Sequence, residues 1–262
     1  MTPEDMNGRL RIGLVAGEVS GDLIGAGLID AIRRRVPAAE FEGIAGPRMA
    51  ERGCKVLYPM ERLSVMGLVE VLGRYRELRA ARARIAAHFS AAPPDVFVGI
   101  DAPDFNLGLE TRLRAAGIPA VHYVSPTVWA WRRGRLRTIA RAVDLMLTLF
   151  PFEEAFYREH DVAVRYVGHH LADAIPERSD PRAARAALGL PEEGALIALL
   201  PGSRDSEVSR LAELFVQAAH WCAARRPGLR FAAPFASAAT RARFEAALAR
   251  HPGLDCRLYD GR

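Results

Sequence analysis

The amino-acid sequence predicts an α/β protein made of two successive βαβ series on parallel sheets. Three observations lead there. Short apolar runs such as Val96 to Ile100 are continuous rather than alternating, as in strands buried on both faces of a parallel sheet. Stretches with apolar residues at helical spacing, such as Leu23 to Arg35, come between them. A polar stretch with Pro176 interrupts the pattern, which then starts again, so domains are expected at 1–174 and 175–262.

Composition narrows the function classes. A chain of 262 residues with 50% hydrophobic content can bury one large core or two smaller ones. Cys54, Cys222 and Cys256 are widely spaced and odd in number, which matches neither a metal pattern nor a disulfide framework, so a reducing cytosol is the default. The first eight residues lack a signal-peptide core, and no apolar run approaches the ~20 residues of a membrane span. A soluble protein, or one held at a membrane surface, is expected. The net charge of +5 is carried almost wholly by arginine, Lys55 being the only lysine. Arginines cluster at 74, 76, 79, 82 and 84 and again at 132, 133, 135, 137 and 141. Such clusters meet phosphates, anionic headgroups or nucleic acid, or form solvated helix faces.

Leu10 to Ala16 reads as the first strand. Gly17 to Asp22 is a tight polar turn before the helix from Leu23 to Arg35, and Phe41 to Ala45 is a second strand ended by Gly46-Pro47-Arg48. Glycines in that first turn let a ligand approach a helix N-terminus, where anions are favoured. The turn is not a P-loop, because no lysine follows its glycines, and it lacks the G-x-G-x-x-G of a dinucleotide fingerprint. Val65, Met66, Leu68, Val69, Val71 and Leu72 crowd together ahead of the first arginine cluster. Core packing and a membrane-surface site both fit them.

Val96 to Ile100 is expected at the centre of the sheet, with Asp101 at its carboxyl end, where ligands of open α/β sheets sit. Catalysis, and a structural role in capping a turn or meeting a buried arginine, fit Asp101 equally. Pro103 keeps Ala102 out of the helical region, so Asp104 is assigned as N-cap of a helix from Phe105 to Arg114. Pro119 to Val124 is a further strand, leading to Trp129 and Trp131 among arginines, which suit base stacking, a membrane interface, a sugar platform or plain surface packing. Strands at Val143 to Phe150 and Val164 to Val167 flank a helix from Glu153 to Glu159, and His169-His170 closes the series as a turn. In the second series, a helix from Arg182 to Leu188 precedes a buried strand, Ala195 to Leu200. Pro201-Gly202-Ser203-Arg204 then leads into a helix from Ser206 to Arg225 capped by Asp205 and Ser206. Strands at Leu229 to Ala233 and Leu254 to Leu258 flank a helix from Ser237 to Arg250. The loop's backbone N–H groups and the Arg204 guanidinium suit a diphosphate, with a solvated arginine as the alternative.

Several stretches taken together resemble the lipid-A-disaccharide synthase family of glycosyltransferases. They are Leu14-Val15-Ala16-Gly17-Glu18-Val19-Ser20-Gly21-Asp22, Ala45-Gly46-Pro47-Arg48-Met49, Val65-Met66-Gly67-Leu68-Val69-Glu70-Val71-Leu72, Gly99-Ile100-Asp101-Ala102-Pro103-Asp104-Phe105-Asn106, His122 to Trp131, and Leu200-Pro201-Gly202-Ser203-Arg204. They occur in the family's order along nearly the whole chain. The resemblance implies a GT-B architecture of two Rossmann-like domains facing a cleft. It implies an inverting transfer that joins UDP-2,3-diacylglucosamine to 2,3-diacylglucosamine 1-phosphate by a β-1,6 bond and releases UDP, without metal or other cofactor.

On this resemblance Asp101 is the base on the acceptor hydroxyl. Glu18, Ser20 and Asp22 of the first turn and Gly202, Ser203 and Arg204 of the later loop are the substrate-binding candidates. Met66, Leu68, Val69, Leu72, Arg74 and Arg76 become a membrane and acyl-chain contact, which reverses any preference for core. The implied partners are a UDP-sugar donor, an acylated sugar phosphate acceptor and a membrane surface, with no nucleic acid; a homodimer is one assembly it admits. The implied location is the cytoplasm, peripheral on the inner membrane. Family members carry a Ser-Gly-Thr stretch and a nearby glutamate later in the donor domain, and residues 175 to 262 fall short of the ~100–150 of a usual domain. The chain is therefore expected to be a fragment, with its own activity in question. Another UDP-sugar GT-B enzyme, or a non-catalytic piece that holds acyl substrate or membrane, is the alternative.

Overall fold

The computed structural model describes residues 10–63, 68–130 and 133–260, without the side chains of 61, 68–74 and 133. The chain divides into two units, Met1–Pro176 and Glu177–Arg262. In the first, strands β1 (Arg11–Ala16), β2 (Glu40–Ala45), β3 (Cys54–Pro59), β4 (Val96–Ile100), β5 (Ala120–Tyr123), β6 (Leu145–Thr148) and β7 (Val164–Tyr166) form one sheet. Its order is β3-β2-β1-β4-β5-β6-β7, and every pairing is parallel. The helices between them are α1 (Val19–Arg33), α2 (Pro47–Glu51), α3 (Leu68–Ala91), α4 (Pro103–Ala115), α5 (Leu136–Ala142) and α6 (Pro151–Arg158), followed by α7 (His170–Ala174).

β4 lies at the middle of the sheet, as its uninterrupted apolar run requires. Phe97 and Ile100 are fully buried, together with Leu14 and Val15 of the neighbouring β1. Burying each such side chain is worth ~1.5–3 kcal/mol. Strand order reverses between β1 and β4, so a crevice opens beyond their carboxyl ends, the general ligand position of such sheets.

Several boundaries differ from the sequence expectation. Helix α1 begins at Val19, inside the stretch read as a turn. Gly21 is a helix residue rather than a turn residue, and the position of its absent Cβ is in ordinary contact with Ala16 and Ile100 at the strand ends. β2 ends at Ala45, before Gly46-Pro47-Arg48 as expected, and Pro47 then opens α2 at its first position, where the missing N–H costs nothing. β3 was not anticipated; it is an edge strand with exposed and half-buried positions, and its mixed composition shows no apolar run. Gly168-His169-His170 leads into α7, with the His169 ring accepting the Leu171 N–H at 3.2 Å.

The second unit holds α8 (Pro181–Ala187), β8 (Leu196–Ala198), α9 (Asp205–Arg225), β9 (Arg230–Phe235), α10 (Ala238–Ala249) and β10 (Cys256–Asp260). Its three strands are parallel in the order β10-β9-β8. Phe231, Phe235, Val208, Val216 and Phe244 make its core. The segment read as a buried strand, Ala195 to Leu200, proves shorter and more open. β8 pairs with β9 on one side, and Ile197 and Leu200 are exposed. Among the described residues no helix is long and apolar enough to cross a membrane.

Candidate functional site

The carboxyl ends of β1 and β4 are register partners at Ala16 and Ile100, so the turns that follow them stand side by side. After β1 the turn is Gly17-Glu18, and after β4 it is Asp101-Ala102. They touch: a Cβ on Gly17 would sit 2.5 Å from the Ala102 Cβ, so only glycine permits this approach. Asp101 and Ala102 both adopt left-handed backbone, with φ of 52° and 43°. At the end of β5, Val124 has φ of 83°, an unusual state for a β-branched residue. These are three of the four described non-glycine residues with positive φ. Strained backbone gathered at the ends of adjacent central strands is typical of a site where geometry is held for function, at ~1–3 kcal/mol per residue.

The left-handed step also settles the two carboxylates after β4. Helix α4 starts at Pro103, with Ala102 in the N-cap position and no side-chain cap. Asp104 is therefore not the N-cap expected from the sequence. Two left-handed residues turn the chain so that the proline itself can open the helix. Asp104 is exposed in the first turn, ion-paired with Arg135, and its carbonyl accepts Arg82 Nη2 at 2.7 Å. Arg82 also stacks on Phe105, 5.1 Å from its centroid, and burial lowers its pKa. At least this member of the first arginine cluster is thus tied into the fold rather than solvated.

Beneath the turn lies a buried polar layer that the sequence reading missed. Asn106, fully buried one turn into α4, directs Nδ2 at the carbonyls of Asp101 (2.8 Å), Ile100 (3.3 Å) and Val15 (3.3 Å). One turn further along α4, Glu110 Oε1 meets His122 Nδ1 of β5 at 2.7 Å, both side chains fully buried. Burial raises the Glu110 pKa, against the pull of His122 in the other direction. Gly99 makes room for the pair, since a Cβ there would lie 2.1 Å from Glu110 Oε1. A carboxylate at i+4 from an asparagine, opposite a strand histidine, was the available signal.

The first-turn candidates separate. Glu18 is half-buried in the N-cap position of α1, and Ser20 is exposed two residues on. Asp22 is buried and faces inward. Its Oδ1 accepts Gly46 N and Met49 N at 3.0 Å each, and Oδ2 accepts Arg48 N at 2.9 Å. Asp22 therefore caps α2, a structural task additional to the substrate contact expected of it.

In the second unit, Leu200, Gly202, Ser203, Pro234, Phe235 and Ala236 line a cavity of about 370 Å³ at the ends of β8 and β9. Arg204, not Asp205 or Ser206, occupies the N-cap position of α9. Glu207 reaches back: Oε2 accepts Ser203 N at 3.0 Å and Arg204 N at 3.2 Å, while Oε1 meets Arg204 Nη1 at 3.3 Å. Those contacts hold the Glu207 carboxyl below its ordinary range. Asp205 is instead paired with Arg243, 2.8 Å between Oδ2 and Nη2. The groups offered to a diphosphate are present, with a carboxylate already on them.

Of the membrane candidates, Met66 lies outside the described residues. Leu68, Val69, Leu72 and Arg74 belong to α3, but their side chains also lie outside the description. Arg76 is exposed. Trp129 packs edge-on against Phe152, with centroids 5.0 Å apart, and Phe152 stacks with Phe150; both phenylalanines are about half exposed.

Comparison with known proteins bears on the family and the fold. Residues 12–260 match the family model described as lipid-A-disaccharide synthetase. The chain is 56% identical over 256 residues to the lipid-A-disaccharide synthase of Pseudomonas paraeruginosa, covering 98% of this chain and 68% of that one. It is 56% identical over 244 residues to that of Hahella chejuensis, covering 93% and 62%. The chain thus spans about two thirds of the length of these relatives. Among solved structures, UDP-GlcNAc 2-epimerase of Neisseria meningitidis bound to UDP-GlcNAc superposes with a TM-score of 0.64 at 9% identity, covering 97% of this chain and 73% of that one. The S. aureus MnaA–UDP structure gives 0.66 at 10% identity, covering 97% and 69%. The fold is that of the GT-B enzymes and epimerases, and the chain belongs to the lipid-A-disaccharide synthetase family of glycosyltransferases.

Proposed function

We propose that full-length protein carrying this chain joins UDP-2,3-diacylglucosamine to 2,3-diacylglucosamine 1-phosphate through a β-1,6 bond and releases UDP. Family membership supports the reaction, and the observation that carries the site is Asp101 at the β1–β4 switch point on a left-handed turn. Asp101 takes the proton of the acceptor hydroxyl as its oxygen attacks the anomeric carbon. The bond to UDP breaks on the opposite face, which inverts the centre. A positioned base of this kind contributes ~10²–10⁴-fold in rate. Arg204 and the N–H groups of Ser203 and Arg204 stabilise the charge arriving on UDP. For that, Glu207 must yield its contacts to the diphosphate. Two proteins of the same fold hold UDP or UDP-GlcNAc in their structures, in keeping with a UDP-sugar donor.

Glu18 and Ser20 beside Asp101 are substrate contacts on this reading, and the start of α3 with Arg76 meets the membrane that supplies the acylated sugars. The protein then works in the cytoplasm, peripheral on the inner membrane. The test is incubation of the full-length protein with the two acylated sugars. Disaccharide and UDP should form in equal amounts, and turnover of UDP-GlcNAc in place of the acylated donor would point to another UDP-sugar enzyme.

A further inference from the structure

The Asp101 turn is held by its own N–H, which donates to the Tyr123 carbonyl at 2.8 Å, and from below by the side chain of Asn106. Asn106 Nδ2 faces three carbonyls: Val15 on β1, and Ile100 and Asp101 at the end of β4. β1 and β4 are the strands between which the switch point opens, so a single amide spans its floor. The shortest of the three contacts, 2.8 Å, is to the carbonyl of Asp101 itself, the residue with φ of 52°. The backbone adds a second link, since the N–H groups of Phe105 and Asn106 donate to the Ala102 carbonyl at 2.9 and 3.0 Å. Asn106 is fully buried and rides on α4, whose next turn is anchored to β5 by Glu110 and His122. The Asp101 backbone is thus referred to three strands at once.

We propose that Asn106 is the positioning residue of the acceptor-side carboxylate: it fixes the left-handed turn at Asp101 and Ala102, and so the direction in which Asp101 presents its carboxylate. It touches no substrate and acts through Asp101 alone. The proposal rests on the reading of Asp101 as the base. The alternative is a staple whose loss harms the whole first unit, donor-related steps included.

A cycle in full-length protein carrying this chain separates these, using Asn106→Ser and Asp101→Asn alone and together. Serine is chosen because its hydroxyl keeps one donor and the fold is retained more readily than with alanine. Asn106→Ser should lower kcat about tenfold to 10²-fold, the scale of a misplaced reacting group, with donor KM and UDP affinity unchanged within about twofold. In the Asp101→Asn background the same substitution should lower the residual rate less than about twofold. Equal losses in both backgrounds, or a loss confined to KM, overturn the positioning role while leaving the base assignment in place. Wild-type turnover by Asp101→Asn overturns the base assignment itself, and the positioning role with it. Should Asn106→Ser not fold, Asn106→Gln enters the same cycle and is read by the same outcomes, because it keeps the amide donors and displaces them by one methylene.

Discussion

After β4 the chain takes two left-handed residues, opens a helix without a side-chain cap, and seats the turn on buried Asn106 and the Glu110–His122 pair. After β8 it passes through Pro201 to Arg204 and opens α9 with a glutamate reaching back to two N–H groups, an ordinary capping arrangement at a half-exposed surface. The first loop has little freedom, because its partners are carbonyls and buried side chains with no alternative position. The second can exchange Glu207 for another anion at small cost, since its partners are solvent-accessible N–H groups and a guanidinium. Rigid geometry suits a group that must be aimed at a reacting hydroxyl; exchangeable geometry suits a phosphate that must enter and leave.

The largest expected effect is chemical. Asp101→Asn keeps the side-chain shape and a residue tolerant of left-handed backbone. Disaccharide formation by the full-length protein should fall ~10²–10⁴-fold, with UDP affinity unchanged by calorimetry. If UDP affinity falls in step with turnover, the first loop is not separate from the donor site and the contrast fails.

Next comes rigidity. Gly99→Ala places a methyl group 2.1 Å from Glu110 Oε1 in a fully buried layer, so either the carboxyl or β4 must move. Overpacking of this kind costs ~1–3 kcal/mol, to be read as a lower denaturation midpoint. Alanine at Leu200, Pro201, Ser203 or Arg204 should cost less; Gly202, with φ of 136° and its Cβ position 2.5 Å from the Glu207 Cβ, is the exception in that loop. Unchanged stability of Gly99→Ala would show that the layer under Asp101 can rearrange.

The same layer should have a pH signature. Burial raises the Glu110 pKa from its ordinary 4.5, so the folded protein holds that proton after the unfolded chain has released it. Stability from this group is complete below pH 4.5 and is lost as pH rises through the folded pKa. Denaturation of wild type and Glu110→Gln across that range should show the wild type losing ground with rising pH relative to the variant. Parallel curves would mean that His122 fully compensates the buried carboxylate.

How much of this could be read from the sequence differs between the loops for the same physical reason. The central strand, its terminal Asp101 and the two βαβ series were legible, because continuous apolar runs and turn residues are local signals. The left-handed step was not: Pro103 correctly excluded Ala102 from helical backbone, but nothing local distinguishes an extended residue there from a left-handed one. Hence Asp104 was taken for a cap. Asp22 was placed in a ligand turn because its partners, Gly46, Arg48 and Met49, lie more than twenty residues away. Asn106, Glu110 and His122 become a layer only once α4 lies on β4 and β5. In the second unit the loop was legible locally, and so was a pairing of Arg204 with Glu207 three residues on; the Glu207 contacts with the Ser203 and Arg204 N–H groups were not.

The donor-side prediction concerns exchange. Arg204→Ala should weaken UDP binding about tenfold, the scale of one charged hydrogen bond. Glu207→Ala should do the reverse. It removes the carboxylate that occupies the Ser203 and Arg204 N–H groups, at a stability cost of ~1 kcal/mol for the lost cap. UDP should then bind up to about fivefold tighter, since it no longer displaces a resident anion. Calorimetry of both variants in full-length protein decides. Weaker binding by Glu207→Ala would mean that the glutamate organises the loop for the nucleotide and does not compete with it.

The smallest effect separates the two carboxylates of the first loop. Asp104 stands three residues from Asp101 yet is 79% exposed, and Arg135, its partner, is 27% exposed. Solvent screening leaves such a pair ~0–1 kcal/mol, and a first-turn acid adds a few tenths through the helix dipole. Among the described residues no backbone N–H depends on the Asp104 side chain, because the N-cap position belongs to Ala102 and Asp104 bonds Arg82 through its main-chain carbonyl. Asp104→Ala should therefore cost about 0.5 kcal/mol, less at high salt, and leave turnover within about twofold of wild type. A loss of ~1 kcal/mol or more that persists in high salt would restore Asp104 as a cap. A loss of turnover matching Asp101→Asn would mean that the loop works through both carboxylates, and that its rigidity serves a pair rather than a single aimed base.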